Sequence, residues 1–265
     1  MTVAILALGG GMGDAVACPA AKPQRLAVPA YFAPGEDWAR LAGARPSVGI
    51  AVANAASGPG QYDPAYASAV ATASRAGIRV LGYVDTGYFG TTGRATRGGA
   101  TDHDAWAAQI SADVDTWYAY YGRSGLAGVF FDATLAATGP GDQYVRWYRQ
   151  IGGEARRHGR HVLTVDNPGQ APDRAYLAAA DILVTFEGDG AAYRDWQPPA
   201  WQRHVDRARL WHLVYDVPDL AGLADTLALS RRRNAGHVYV TDRTLASNPW
   251  GALPGTDYWT SEVSG

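Results

Sequence analysis

The sequence predicts a single (β/α)8 barrel, and three observations carry that expectation. From Arg25 onward, eight short apolar runs alternate with longer helical segments. No composition break, internal repeat or low-complexity linker divides the chain. The first run leads into Ala33-Pro34-Gly35-Glu36, without the glycine-rich phosphate turn that an open doubly wound sheet usually carries there. The runs are Leu26–Phe32, Val48–Ala53, Arg79–Val84, Gly128–Phe131, His161–Val165, Ile182–Phe186, Leu210–Tyr215 and His237–Thr241. Several are rich in Val, Ile, Tyr and Phe without strict alternation, as in strands buried on both faces of a parallel sheet.

The helical segments follow in order. A weak helix is expected near Gly35. Asp63–Ala76 comes next: Asp63 supplies an N-cap oxygen, Pro64 suits the first helical position, and Gly77 stands where a C-cap glycine belongs. Asp102–Tyr121, Asp142–His158, Asp173–Ala180 and Asp219–Asn234 open on the same acidic cap, which also suits the positive end of a helix. Gly159 is the expected stop of the Asp142 segment, and a further weak helix is expected near Trp196.

Residues 1–22 read differently from the barrel expected over residues 23–265. Met1–Leu8 is apolar, and Ala15-Val16-Ala17-Cys18-Pro19-Ala20-Ala21 has the small residues of a signal-peptide cleavage region, without a basic segment before it. A secretory leader or a disordered tail is expected, and with the leader an extracellular protein. Gly9–Gly13 lies in no strand–turn–helix unit, so it is not read as a nucleotide loop. Cys18 is the only cysteine, which excludes an intrachain disulfide, and Ala15 is too small for a typical lipobox ending there.

At 47 % hydrophobic and 18 % charged residues, the chain is not a disordered one. A formal net charge of −2 leaves no electrostatic footprint for nucleic acid or an anionic membrane, and no stretch reads as a membrane span. A monomer is expected. Trp (9) and Tyr (15) far outnumber Phe (5), so recognition should rest on flat rings with polar handles.

Function in such a barrel sits where strands end. The runs deliver Tyr31, Asn54, Asp85, Asp132, Asp166-Asn167, Glu187, His212 with Tyr215-Asp216, and Asp242. One such residue is commonly a helix cap; a whole rim of them reads as an active site. Asp132 and Glu187 follow the aromatic-rich Val129-Phe130-Phe131 and Val184-Thr185-Phe186. A carboxyl emerging from an apolar floor is desolvated, and a second nearby raises one of the two further. Glycosidic cleavage usually needs such a pair. Tyr31, Tyr83, Tyr88, Trp196, Trp201, Tyr215, Trp250 and Trp259 fall at strand ends or in the loops after them, where rings can stack on the C–H faces of sugars. Trp106, Trp117 and Trp147 fall in helices and are expected to pack. His212, inside an apolar run, reads either as a packed histidine or as a site residue. No HExxH, HxH or GxSxG occurs, so zinc and serine-nucleophile chemistry find no support, and no metal or cofactor is expected. A carboxylate metal site built from Asp85, Asp132 and Asp242 is the less favoured arrangement.

Val28-Pro29-Ala30-Tyr31, Asn54–Gly60, Gly82-Tyr83-Val84-Asp85-Thr86-Gly87-Tyr88, Asp113–Tyr118, Gly128–Asp132, Asn167-Pro168-Gly169, Val184–Glu187 and Tyr239–Asp242 follow one another along most of the chain. Together these segments resemble the spherulin-4-like family of glycoside hydrolases. The resemblance implies a secreted barrel enzyme similar to endo-acting α-1,4-N-acetylgalactosaminidases, with a polysaccharide as partner. By motif it puts the acidic cluster on Asp132 and Glu187, with Asp85 nearby. Tyr31, Asn54, Asp85, Tyr88, Asn167, His212, Tyr215, Asp242 and Trp250 are the expected substrate-binding residues. The chain departs from the family pattern at Ala133, where a Glu is usual, and at Asn54-Ala55-Ala56-Ser57. Ala133 motivates the alternative expectation of a non-catalytic carbohydrate-binding or coat protein.

Overall fold

Eight parallel strands close on themselves in order in a computed structural model that describes residues 23–265. They are β1 (Arg25–Ala30), β2 (Val48–Ala53), β3 (Arg79–Asp85), β4 (Leu126–Asp132), β5 (Leu163–Asn167), β6 (Ile182–Asp189), β7 (Leu210–Tyr215) and β8 (His237–Val240). β8 returns to β1 through Arg25 opposite His237 and Leu26 opposite Val238. The barrel read from the sequence is the barrel found. The expectations for residues 1–22, including Cys18 and Gly9–Gly13, lie outside the described residues.

Around the barrel lie α1 (Glu36–Gly43), α2 (Pro64–Arg75), α3 (His103–Tyr121), α4 (Gln143–Ala155), α5 (Gly190–Asp195), α6 (Leu220–Arg232) and α7 (Thr256–Ser264). Asp63, Asp102 and Asp219 accept from backbone N–H groups of Ala65, Ala105 and Gly222, as expected of N-caps. Asp142 does not cap. The turn Gly139-Pro140-Gly141 carries it into α4 at φ 59° rather than in the extended backbone of a usual N-cap, and its side chain accepts no helix N–H. Asp173 caps only one short 3-10 turn, Arg174–Ala178. The helix expected near Trp196 ends there instead, since Pro198 and Pro199 supply no N–H to continue it. Gly77 takes the left-handed cap at φ 84°, whereas Gly159 is extended at φ 171°.

α7 was not expected from the sequence. It packs Tyr258 and Trp259 into the core. Its Glu262 Oε1 accepts from Val240 N at 2.8 Å, satisfying the last residue of β8.

Inside the barrel, Tyr83 stacks on Phe130 (6.4 Å between centroids) and Phe130 meets Trp211 edge-on (5.5 Å). These rings floor the upper end of the barrel. Outside it, Trp117 lies against β3 and donates from Nε1 to Tyr83 O at 2.7 Å. A Cβ on Gly82 would meet that indole at 2.5 Å, so only glycine admits it.

Candidate active site

Paired residues of neighbouring parallel strands face the same way, and Asp85, Asp132 and Asn167 are paired across β3, β4 and β5. All three therefore reach the same level of the barrel's upper mouth. Glu187 arrives there by a different device. Val184 pairs with Trp211 and Phe186 with His212, so Thr185 is an extra residue in β6. This bulge inverts the alternation beyond it. Glu187 then shares the inward face of Leu213 and Trp211, while Phe186 and His212 turn outward.

Asn167 joins the two carboxyls. Its Nδ2 donates to Asp132 Oδ1 at 2.8 Å and to Glu187 Oε2 at 2.7 Å. Its Oδ1 accepts from Gly169 N at 3.0 Å, which holds the NH2 end toward the acids. The nearest carboxyl oxygens thus lie no farther apart than these two bonds end to end. That reach lets both carboxyls address the two sides of one glycosidic bond. Tyr83 OH donates to Asp132 Oδ2 at 2.7 Å, and Trp250 Nε1 donates to Glu187 Oε1 at 3.3 Å.

The two acids are not equivalent. Burial, and next the Asp132 charge, push Glu187 up to about 7. Burial also raises Asp132, but donors at Tyr83, the Ala133 backbone and Asn167 oppose it with three hydrogen bonds to the charged form. The three donors around Asp132 thus favour its charged form, while Glu187 is the group that keeps a proton near neutrality. The longer bond from Trp250 leaves Oε1 as the oxygen to carry it.

The wall around the pair is strained. Ala133, Tyr88 and Phe89 stand at φ 51°, 54° and 50°, a region that costs a non-glycine residue of order 1 kcal/mol or more. Thr86 N donates to Asp132 O, the one Thr86 hydroxyl proton is shared between Asp132 O and Ala133 O, and Tyr88 N donates to Ala133 O. The loop after β3 therefore holds the end of β4. Tyr31 meets Tyr83 edge-on at 5.3 Å. Burial first, then Asp132, Tyr83 and Glu187, keep its phenol protonated well beyond the usual range. Tyr31 N also donates to Trp250 O at 3.1 Å, tying the loop after β8 back to β1.

Of the residues expected to bind substrate, Asn167 and Trp250 touch the acids directly, and Tyr31 lies close enough to feel both. Tyr215 packs edge-on against Trp250 at 6.1 Å. Asp85 stands beside Asp132, but its carboxylate is engaged by Arg94 at 2.5 Å and Gly87 N at 2.9 Å. A cavity of about 320 Å³ opens there, lined in part by Ser57, Arg94, Arg97 and Gln109. Tyr88 is half-buried on the strained turn. Asn54 spends its Oδ1 on Gly58 N in the next loop.

His212 and Asp242 do not join the site. His212 is wholly buried behind the barrel wall, where its Nδ1 pairs with Tyr193 OH at 2.8 Å and the ring meets Trp196 at 5.2 Å. Burial, and next Arg233, press its pKa down to about 3, so it stays neutral. It lies three residues before Tyr215, and odd spacing in a strand means opposite faces. Trp196 also belongs to this outer layer, beneath the Arg233 guanidinium, and Trp201 rests half-buried on the core. Asp242 makes no hydrogen bond to either acid, and its charge raises Tyr258, Glu262 and Tyr239 rather than Asp132 or Glu187. Tyr83 was expected only as a rim aromatic; its bond to Asp132 could be anticipated only from the β3–β4 register. Among the described residues no group of three His, Cys, Asp or Glu side chains is placed to hold a metal ion, and no helix is long and apolar enough to cross a membrane.

The model of spherulation-specific family 4 matches residues 25–265. Spherulin-4 of Physarum polycephalum is 28 % identical over 262 residues, covering 94 % of this chain and 72 % of its own. Among solved structures, Aspergillus clavatus Sph3 in complex with GalNAc aligns with a TM-score of 0.73 at 22 % identity, over 91 % of this chain and 98 % of that one. A chitinase from Chromobacterium violaceum aligns at 0.54 with 14 % identity, over 89 % and 98 %. Both likenesses speak to the barrel fold.

Proposed function

The chain belongs to spherulation-specific family 4, and from that premise we propose that it is a secreted, monomeric endo-acting glycoside hydrolase. Its substrate is an exopolysaccharide of α-1,4-linked N-acetylgalactosamine and galactosamine. The observation that carries this reading is the single Asn167 amide bridging two half-buried carboxyls of different acidity at the end of the barrel where such enzymes work. The GalNAc in the Sph3 complex supports the sugar class. The small-residue stretch Ala15–Ala21 supports secretion.

In this reading Glu187 gives its proton to the glycosidic oxygen as the bond from that oxygen to C1 breaks. Asp132 attacks C1 from the other face and forms a glycosyl ester. Glu187, now ionised, takes a proton from water, which displaces Asp132 and retains the α configuration. Tyr83 and Asn167 hold Asp132 in line, and Tyr31, Tyr215 and Trp250 offer rings and donors to the sugar. A 2-acetamido group attacking C1 in place of Asp132, with Asp132 orienting it, is the variant mechanism.

Ala133 favours one competing reading, a carbohydrate-binding barrel without turnover. Incubating the protein with de-branched polymer and measuring new reducing ends decides between them. Hydrolysis abolished by Asp132→Asn supports the enzyme; tight binding with no new reducing ends supports the binder.

A further inference from the structure

At the opposite end of the barrel, where the strands begin, a cavity of about 630 Å³ opens. It is lined by Arg25 at the start of β1, Arg79 at the start of β3, Arg207 and Arg209 just before β7, and His237 at the start of β8. Asp181 is the one acidic side chain in the lining. It does not balance the arginines, because its carboxylate already pairs with a fifth, Arg156, at 3.2 Å and accepts from Thr164 N at 2.9 Å.

Three of the four arginines also serve the fold. Arg25 Nη2 donates to Pro46 O and Val48 O, Arg207 Nη2 to Ala235 O, and Arg209 to Leu177 O, Ala180 O and Asp181 O. These bonds position the guanidinium groups and leave donors over, since each carries five N–H groups. Arg79 has no such duty. Its guanidinium makes no hydrogen bond among the described residues; burial lowers its pKa, and the Asp181 charge opposes that. Two further atoms in the lining residues are buried without a partner, Arg207 Nε and His237 Nδ1. His237 is 5 % exposed and its Nε2 is committed to Ala208 O at 3.2 Å. Buried polar atoms normally have partners, so two orphans in the lining of one cationic cavity point to a ligand.

The geometry points to a binding site for a small phosphate-bearing anion at the N-terminal mouth of the barrel, away from the carboxylate pair. Guanidinium forks suit the oxygens of phosphate, and a ligand with two or more negative charges matches this excess of cations better than a monocarboxylate. The cavity volume is that of small-molecule pockets rather than of a single ion. The neutral His237 ring presents Nδ1 as an acceptor, which a ligand hydroxyl would satisfy. Phosphate esters and inorganic polyphosphates share this chemistry.

Isothermal titration calorimetry of the full chain with glucose 6-phosphate and with pyrophosphate, at ionic strength matched by sodium chloride, tests the site. Saturable one-to-one binding of at least one probe is expected. Arg79→Gln, which breaks no bond of the fold, should weaken it about tenfold or more. Arg174→Gln, an exposed arginine in the β5–β6 connection, should not change it, and polymer hydrolysis should be the same in both variants. Tighter glucose 6-phosphate assigns the site to an ester, and tighter pyrophosphate to an inorganic polyphosphate. No saturable heat from either probe, or equal binding by Arg79→Gln, overturns the proposal. The calorimetry reads independently of whether the carboxylate pair hydrolyses anything.

Discussion

Glu187→Gln should make the protein more stable in alkaline solution while removing most of its activity. Glu187 has its folded pKa raised from 4.5 to about 7, so the folded state holds a proton that the unfolded chain releases between those values. Its charge costs nothing below pH 4.5, and the full penalty falls above pH 7. Two and a half pH units correspond to about 3 kcal/mol. Glu187 keeps an edge open to solvent, and screening there trims the penalty to about 2 kcal/mol. Glutamine is neutral throughout. Its oxygen can still accept from Asn167, but its NH2 faces the Trp250 N–H and loses that long bond, about 1 kcal/mol. The variant should therefore gain about 1 kcal/mol at pH 8.5, or roughly 2–4 °C in Tm, and lose a similar amount at pH 4. Thermal unfolding at both pH values checks this. A variant less stable at pH 8.5, or a difference that does not change with pH, would refute the account of Glu187 as a desolvated acid beside a second charge. Hydrolysis of polymer should fall about 10²–10⁴-fold and recover in part on substrates whose leaving group needs no proton.

Asp132→Asn should abolish hydrolysis without recovery on activated substrates, because the nucleophile itself is missing; steady-state rates on both substrate types read this. Tyr83→Phe removes a donor that lowers the Asp132 pKa, so the acid limb of the pH–rate profile should move to higher pH and kcat/KM should fall about tenfold. Gly82→Ala drives a methyl into Trp117 and should destabilise the fold by about 1–3 kcal/mol in urea titration without moving the pH profile.

Much of the barrel was legible because buried parallel strands are continuous apolar runs and aspartates before helices are strong caps. Asp63, Asp102 and Asp219 acted as their chemistry requires, and Asp85, Asp132 and Asn167 do stand at the last position of their strands. Asp142 failed because cap propensity says nothing about the φ that flanking glycines impose. α7 was missed because a short helix beginning at Thr256 has no acidic cap and too few turns to show a period. Within the site, Asp132, Glu187, Asn167 and Trp250 are legible in the sequence, but that Asn167 bridges the two acids depends on cross-strand register, which one strand's sequence does not contain. The bulge at Thr185 is subtler still. Strict alternation from Val184 would have faced Glu187 outward, so its inward aim follows from one unmatched residue against β7. His212 is a polar residue in an apolar run, the pattern of a site residue, yet its odd spacing from Tyr215 puts the two on opposite faces of β7.

The most direct test of the central claim follows the first product by NMR as the protein acts on α-1,4-linked N-acetylgalactosamine polymer. The account predicts that new reducing ends emerge first as the α anomer, relax later to the equilibrium mixture, and do not form with Asp132→Asn. First release of the β anomer, or polymer bound with no reducing ends formed, would contradict it.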